Sequence, residues 1–185
     1  MGWLEGADVA ATAAINAWQC SAADAVMLFC SRVPVWIPLY CMVAFLLLKR
    51  LGWKDGLLAI AILGLTCLLT DQISHHLKES ICRLRPCEDP TLAGIIRCVE
   101  KHGSLYGFPS GHACNTFGFA AASAPMLRRK HYTILIFIWA TVVSYSRIYL
   151  GKHFLGDVVC GALLGVAIGC LMLLLFNRLR GLIRK

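Results

Sequence analysis

Residues 144–157, Ser-Tyr-Ser-Arg-Ile-Tyr-Leu-Gly-Lys-His-Phe-Leu-Gly-Asp, join two strongly apolar runs of the sequence. They place Arg147, Lys152, His153 and Asp157 beside segments of membrane-spanning composition. A charged side chain at the centre of a membrane helix costs about 2.5–3.5 kcal/mol on insertion scales, so ionisable groups there usually mark function. The alternative is that these residues only cap two helix ends at the water interface. A cluster of this size favours a functional site.

The composition indicates an integral membrane protein. The chain has 185 residues, of which 58% are hydrophobic and 15% charged, which is far from the average of soluble domains. Its net charge of +8 lies in short basic clusters between apolar runs rather than on one continuous basic face. We therefore expect the basic clusters to set the orientation of the chain in the membrane, and we expect no nucleic-acid partner.

The apolar runs predict an all-α, polytopic transmembrane helix bundle. A spanning helix needs roughly 20 mostly apolar residues. Five spans are expected, at residues 33–48, 57–70, 111–127, 132–149 and 154–176. We expect the catalytic bundle over residues 32–185, with a polar loop at 83–108.

Residues 1–31 are expected to form two short N-terminal helices. Polar residues spaced three and four apart form one stripe, Glu5, Asp8, Thr12, Asn16 and Gln19, which predicts an amphipathic helix lying in the membrane interface. Ser21 and Asp24 resemble the start of a second helix. The alternative that these helices form a short sixth membrane crossing stays open. Because no Lys or Arg precedes the first apolar stretch, we do not expect a cleaved signal peptide.

The basic clusters predict the orientation. Residues 49–54, 128–130 and 178–185 hold ten Lys and Arg, and Asp55 beside them is the one acid on that side, whereas the other nine acids lie on the opposite side. The positive-inside rule then places the long loop and the 144–157 stretch outside the cytoplasm. In that loop Cys87 and Cys98 are able to pair if the compartment is oxidising.

With this topology, three separated stretches meet at the outer membrane face. They contribute three cations, Lys78, Arg85 and Arg147. Two arginine forks and one ammonium suit a doubly charged tetrahedral oxyanion such as phosphate. Ser110 and the amides that follow it open a helix, whose N-terminus also attracts anions. Gly111 allows close approach of the backbone.

A nucleophile and a proton donor accompany the anion site. His153 and Asp157 are four residues apart, so on a helix the carboxylate orients one imidazole nitrogen and leaves the other free to attack. His112 is placed to protonate a leaving oxygen. The sequence has no carboxylate cluster for magnesium, so we expect no metal and no cofactor.

Three motifs in this order resemble the signature of the type 2 phosphatidic acid phosphatase (PAP2) superfamily: Lys78-x6-Arg85-Pro86, Pro109-Ser110-Gly111-His112 and Ser146-Arg147-x5-His153-x3-Asp157. The resemblance extends over about residues 33–176. It implies a phosphohistidine formed on His153, oriented by Asp157, with His112 as the acid. It implies phosphate binding by Lys78, Arg85, Ser110, Gly111 and Arg147, the last also stabilising the transition state.

The resemblance implies a compact bacterial lipid phosphatase in the inner membrane, facing the periplasm. Undecaprenyl diphosphate is the preferred substrate at this point, with lipid A, phosphatidylglycerol phosphate and phosphatidic acid as alternatives. A vanadate-dependent haloperoxidase and a non-enzymatic lipid carrier are less favoured.

Other polar residues and glycines have interpretations of their own. We expect Asp71 to pair with a buried hydroxyl or lysine, and Lys152 either to steer substrate or to be solvated. Gly161, Gly165 and Gly169 predict close helix packing within one chain, and hence a monomer.

Overall fold

A computed structural model describes residues 3–18, 20–100 and 104–183. Over these ranges the chain is helical, with seven α-helices and no strand. The helices are α1 (Trp3–Asn16), α2 (Ser21–Ser31), α3 (Ile37–Leu51), α4 (Trp53–Ile81), α5 (Gly111–Leu127), α6 (Lys130–Tyr149) and α7 (Leu155–Ile183). The all-α prediction is confirmed.

Short connections on one side make α3 and α4, and α5 and α6, direct neighbours. Gly52 alone separates α3 from α4, and its φ of +81° lies in the left-handed region that glycine adopts without strain. Arg128 ends α5 in the same region with φ +48°. These basic turns and the end of α7 share one side of the bundle, where Arg180 pairs with Asp55 at 2.7 Å.

Four helical segments of the described chain are long and apolar enough to cross a membrane: Val33–Leu51, Trp53–Ile81, Lys130–Tyr149 and Leu155–Ile183. They match four of the five predicted spans. The fifth, α5, has 17 residues and lies in the middle of the bundle, with most of its side chains buried against other helices. Its small residues, such as Gly118 and Ala120, allow that position. The number of crossings stays a prediction.

The three glycines of α7 pack against α5 within the chain. A Cβ on Gly161 would lie 2.5 Å from the carbonyl oxygen of Ser110, and one on Gly169 would lie 2.5 Å from that of Gly118. Gly165 meets the backbone of Cys114 in the same way. No side chain fits in these places, so the glycines hold the helix that follows His153 tightly against α5.

Part of the polar stripe of α1 faces the protein. Thr12 and Asn16 are fully buried, whereas Glu5 is exposed. Asn16 donates to the carbonyl oxygens of Arg97 and Tyr149 at 2.9 and 2.8 Å. These buried carbonyl groups need donors, and α1 supplies them. That α1 lies in the membrane interface stays a prediction. Gln19 of the stripe and the basic residues Arg184 and Lys185 lie outside the described residues.

The polar loop lies over the end of the bundle at which α1 meets Arg97 and Tyr149. Cys87 and Cys98 form a disulfide, with Cα atoms 5.6 Å apart. Leu84 and Tyr106 form an isolated antiparallel bridge, which joins the two ends of the loop. The end of the first motif is thereby held beside the start of the second.

Candidate active site

A cleft of about 430 Å³ opens between the helix ends. Six of the eight predicted site residues line it: Lys78, Arg85, Gly111, His112, Arg147 and His153. They come from α4, α5, α6 and the loops beside them. The structure thus brings the three sequence motifs together.

Every guanidinium nitrogen of Arg85 has a hydrogen-bond partner. Its Nε donates to the carbonyl of Tyr106 at 3.1 Å, and its Nη2 donates to Ser104 Oγ at 2.8 Å. Nη1 donates to the carbonyl of Lys152 at 3.3 Å and lies 3.4 Å from His153 Nε2. The guanidinium is therefore preorganised beside the imidazole.

Lys78 reaches the N-terminus of α5 at a glycine. A Cβ on Gly111 would lie 3.1 Å from Lys78 Nζ and 3.3 Å from Ser74 Oγ. The side chain of Lys78 thus runs back along α4 to the level of Ser74. Any residue larger than glycine would crowd the ammonium group.

His153 and Asp157 are neighbours, but not on one helix. The helix α7 begins at Leu155, so His153 lies in the loop before it and the prediction of a shared helical face is wrong. Asp157 Oδ2 accepts from the amide of Phe154 at 3.0 Å and lies 3.5 Å from His153 Nδ1. The carboxylate caps the helix start and faces the imidazole from there.

The surroundings of His153 favour a neutral ring. The ring is buried, and this burial, together with the cations Arg85, Arg147 and Lys78, lowers the pKa of His153 well below its usual value of 6.5. A neutral imidazole has a lone pair for attack. Nδ1 is the nitrogen nearer Asp157, and Nε2 lies beside Arg85, which also lines the cleft.

Arg83 is a residue of this site that the sequence motifs do not mark. Its Nη1 donates to Asp157 Oδ1 at 2.6 Å, and its Nη2 donates to Asp8 Oδ2 at 2.7 Å. The other oxygen of Asp8 accepts from the amide of Gly156 at 2.7 Å. Arg83 falls inside the six-residue spacer of the first motif, where nothing distinguishes it. The one available signal in the sequence was Asp8, an acidic residue in the polar stripe of α1 that would need a basic partner.

The last residue of α2 contacts two predicted catalytic groups. Ser31 Oγ accepts from Arg147 Nη1, and its carbonyl oxygen lies 3.1 Å from His112 Nε2. Because a carbonyl only accepts, His112 Nε2 carries the hydrogen. Arg147 Nη1 also donates to Glu100 Oε2 at 3.0 Å. Ser31 and Glu100 thus accept hydrogen bonds from N–H groups of Arg147 and His112 that a bound anion would use.

Ser110 and Asp157 lie behind the cleft rather than on its wall. Ser110 Oγ is fully buried and, among the described residues, has no hydrogen-bond partner. The Ser110 amide donates to the carbonyl of Asp157 at 2.9 Å, which ties the start of α5 to the start of α7. Phosphate binding by the Ser110 hydroxyl stays a prediction.

Lys152 and Asp71 differ from their expected settings. Lys152 is 1% exposed, so the solvated alternative is wrong. Asp71 lines the cleft, and within the described chain no hydrogen bond reaches its carboxylate. Its charge acts on Lys78 without a direct ion pair, so the expected lysine is nearby but does not bond to it.

A second cavity, of about 460 Å³, lies at the opposite end of the bundle. Arg50, Arg128 and Arg180 line it, but no histidine or carboxylate does. These arginines belong to the basic turns. The arrangement lacks a nucleophile. Over residues 3–18, 20–100 and 104–183, no group of three His, Cys, Asp or Glu is placed to hold a metal ion.

Comparison with protein families gives one clear result. A model described as "PAP2 superfamily" matches residues 55–180. This range includes all three motifs, α5 and α6, and nearly all of α4 and α7. It leaves α1, α2 and α3 outside.

Individual relatives are lipid phosphatases by name. The chain is 38% identical over 135 residues to a lipid A 4'-phosphatase of Bacteroides thetaiotaomicron, covering 71% of this chain and 60% of that protein. It is 32% identical over 156 residues to an undecaprenyl-diphosphatase of Sulfolobus acidocaldarius, covering 82% and 69%. The matched part is thus about three fifths of the lipid A 4'-phosphatase.

One solved structure matches almost the whole chain. The crystal structure of a transmembrane PAP2 type phosphatidylglycerolphosphate phosphatase from Bacillus subtilis superimposes with a TM-score of 0.72 at 27% identity. The match covers 99% of this chain and 89% of the other. It therefore includes α1 and α2, which the family model omits.

Proposed function

The chain belongs to the PAP2 superfamily, and from that premise we propose that it hydrolyses a terminal phosphate from a membrane lipid through a phosphohistidine. The observation that carries the proposal is the convergence of Lys78, Arg85 and Arg147 around a buried His153. Three cations around one nucleophile suit a phosphate group whose charge grows in the transition state.

The proposed reaction has two steps. His153 Nε2 attacks phosphorus, a P–N bond forms, and the bond from phosphorus to the leaving oxygen breaks. In its imidazolium form, His112 passes the hydrogen on Nε2, donated to Ser31 without substrate, to the leaving oxygen and becomes a neutral imidazole. Water then attacks phosphorus and gives its proton to His112, and the P–N bond to His153 Nε2 breaks, which releases phosphate.

Asp157 is proposed as a positioning residue, and Arg147 as the group that stabilises the transition state. Asp157 accepts from Arg83 and from the Phe154 amide, so its carboxylate is fixed before substrate arrives. Phosphate would take the place of Glu100 at Arg147. Ser110 and Gly111 are proposed phosphate contacts at the start of α5. No metal ion or cofactor takes part in the proposed reaction.

We take a phosphorylated glycolipid of the lipid A type as the first substrate to test. The lipid A 4'-phosphatases support it by name. A cavity of about 230 Å³ between α3 and α4 shares Tyr40 and Cys67 with the cleft and is lined by Leu63 and Phe119. Such an apolar recess suits an acyl chain. Undecaprenyl diphosphate is the second candidate. The small size of the chain and its short loops favour it, and the undecaprenyl-diphosphatase of Sulfolobus acidocaldarius supports it by name.

The site is proposed to face the periplasm in the inner membrane of a bacterium. The basic turns at Arg128 and Arg180 lie at the end opposite the cleft, which supports a cytoplasmic side there. A monomer is proposed because the small-residue face of α7 is occupied by α5.

The test is phosphate release by purified protein from lipid A, phosphatidylglycerol phosphate and undecaprenyl diphosphate. We expect His153→Ala to abolish release from every lipid that the wild type hydrolyses, in the presence of EDTA as well. His131→Ala, in the turn at the opposite end, is the matched control and should retain activity. Turnover by His153→Ala would contradict the proposed nucleophile, and loss of wild-type activity in EDTA would contradict the metal-free reaction.

A further inference from the structure

We propose that Asp71 and Asn115 form a leaving-group subsite, which selects lipid phosphates whose leaving group carries hydroxyl or amide groups next to the phosphoester. This inference rests on the proposed phosphatase function and deepens it. Both residues line the same cleft as His153 and Lys78. No sequence motif includes either of them.

The carboxylate of Asp71 is accessible from the cleft. Asp71 follows the predicted apolar span 57–70 directly, and its side chain is exposed. It lies ten residues before the end of α4 at Ile81, which is about 15 Å along a helix that rises 1.5 Å per residue. Within the described chain no hydrogen bond reaches the carboxylate, and the charge that acts on it from the cleft is that of Lys78. The acceptor oxygens of Asp71 are therefore available to a ligand in the cleft.

The distance from the phosphate site to Asp71 is that of one sugar ring. Lys78 Nζ lies at the level of Ser74, because both approach Gly111. Asp71 precedes Ser74 by three residues on the same face of α4, a rise of about 4.5 Å. The phosphate held by Lys78 would therefore have its leaving group at the level of Asp71.

Asn115 supplies the complementary group from the facing helix. It follows Gly111 by one turn on α5, so it lies at the same depth as Asp71. The hydroxyl of Thr70 donates to Asn115 Oδ1, which fixes the amide between α4 and α5. With Oδ1 engaged, the NH₂ group is the part of the amide that a ligand can use.

Together the two side chains offer an acceptor and a donor. Asp71 accepts from a hydroxyl or amide hydrogen, and Asn115 donates to a hydroxyl or carbonyl oxygen. An acylated amino-sugar phosphate has such groups beside its phosphoester, and a phosphatidylglycerol phosphate has one hydroxyl. A polyprenyl diphosphate places its second phosphate at this level. The oxygens of that phosphate can accept from Asn115, but they offer Asp71 no hydrogen, so the carboxylate would stay unpaired.

The experiment compares Asp71→Asn and Asn115→Leu with the wild type on lipid A, phosphatidylglycerol phosphate and undecaprenyl diphosphate. We expect kcat/KM for lipid A to fall about tenfold or more in each variant, which is the size of effect that a lost hydrogen bond to a polar or charged group produces. For undecaprenyl diphosphate we expect less than a twofold change with Asp71→Asn, because its second phosphate has no hydrogen for the carboxylate. Thr116→Val is the control, since its hydroxyl is already bonded to the carbonyl of His112.

Two results would overturn the subsite. An equal loss on all three lipids would mean that Asp71 acts only on Lys78, and no loss on any lipid would mean that neither side chain contacts the leaving group. Thermal unfolding of each variant checks that the fold is intact.

A binding measurement separates this inference from the proposed reaction. In the His153→Ala background, Asp71→Asn should weaken binding of lipid A about tenfold and leave binding of undecaprenyl diphosphate unchanged. If the wild type released phosphate from no lipid while this difference in binding persisted, the phosphatase proposal would fail and the subsite would stand. Equal binding of lipid A with and without the Asp71 substitution would remove the subsite.

Discussion

Arg83 joins Asp157, the carboxylate beside the proposed nucleophile, to Asp8 on the N-terminal helix. The two bonds, of 2.6 and 2.7 Å, use the two terminal nitrogens of one guanidinium. Asp157 is fully buried, so its charge depends on this partner. A helix outside the matched family range therefore contributes to the electrostatics of the reaction site.

The first prediction concerns this bridge. Arg83→Gln should lower kcat about tenfold or more with little change in KM, because the hydrogen bonds of a charged group to Asp157 are lost while the phosphate ligands stay. Arg83→Lys should recover only part of the activity, since an ammonium cannot bond both carboxylates in the same plane. Steady-state kinetics on one lipid measures both. Arg129→Gln, at the opposite end, is the charge-matched control; a rise in KM alone would assign Arg83 to substrate binding instead.

The second prediction concerns the protonation of His153. A free histidine is half protonated near pH 6.5, but burial and the neighbouring cations lower the pKa of His153. Its ring should therefore stay neutral as the pH falls through 6.5. NMR titration of the protein with isotope-labelled histidines measures this, with His153→Ala identifying the signal. A ring that titrates at or above pH 6.5 would contradict the prediction.

The third prediction concerns Gly107, which precedes the second motif. A Cβ there would lie 3.1 Å from Asp157 Oδ2 and 3.5 Å from His153 Nδ1. Gly107→Ala should therefore displace the Asp157 carboxylate from its position beside His153 and lower kcat about 100-fold. Gly181→Ala is the matched control, since nothing lies within 4 Å of a Cβ at that position of α7. If both variants kept the wild-type kcat, His153 and Asp157 would have more room than these distances allow.

The fourth prediction concerns the disulfide. A Cβ on Gly151 would lie 2.8 Å from Cys87 Sγ, so the disulfide packs beside the segment that carries His153. Replacing Cys87 and Cys98 by Ser should cost about 2–4 kcal/mol of stability and lower activity. Thermal unfolding in detergent, with and without reducing agent, measures the loss. Reductant should affect the wild type and leave the double variant unchanged; Cys160→Ala is the control for the other cysteines.

How much of the site could be predicted differs from residue to residue. Lys78, Arg85, His112, Arg147 and His153 were found from sequence because each belongs to a short motif whose spacing is tied to a helix end. Arg83, Ser31 and Glu100 were missed because their roles depend on segments that are far apart in sequence. His153 was placed on a helix because a spacing of four is helical, although capping by Asp157 starts the helix two residues later.

The amino-acid sequence by itself determined the membrane class, the helical fold and the family. Apolar runs of sufficient length can satisfy their backbone groups in a bilayer only as helices, and the motifs mark where the helices end. The tertiary structure decided which way each polar face turns. A polar stripe on a helix satisfies its hydrogen bonds equally well with water or with protein, so periodicity reveals the stripe of α1 but not its partner. Only the packing of α1 against Arg83 and the start of α7 turned Asp8 and Thr12 towards the site.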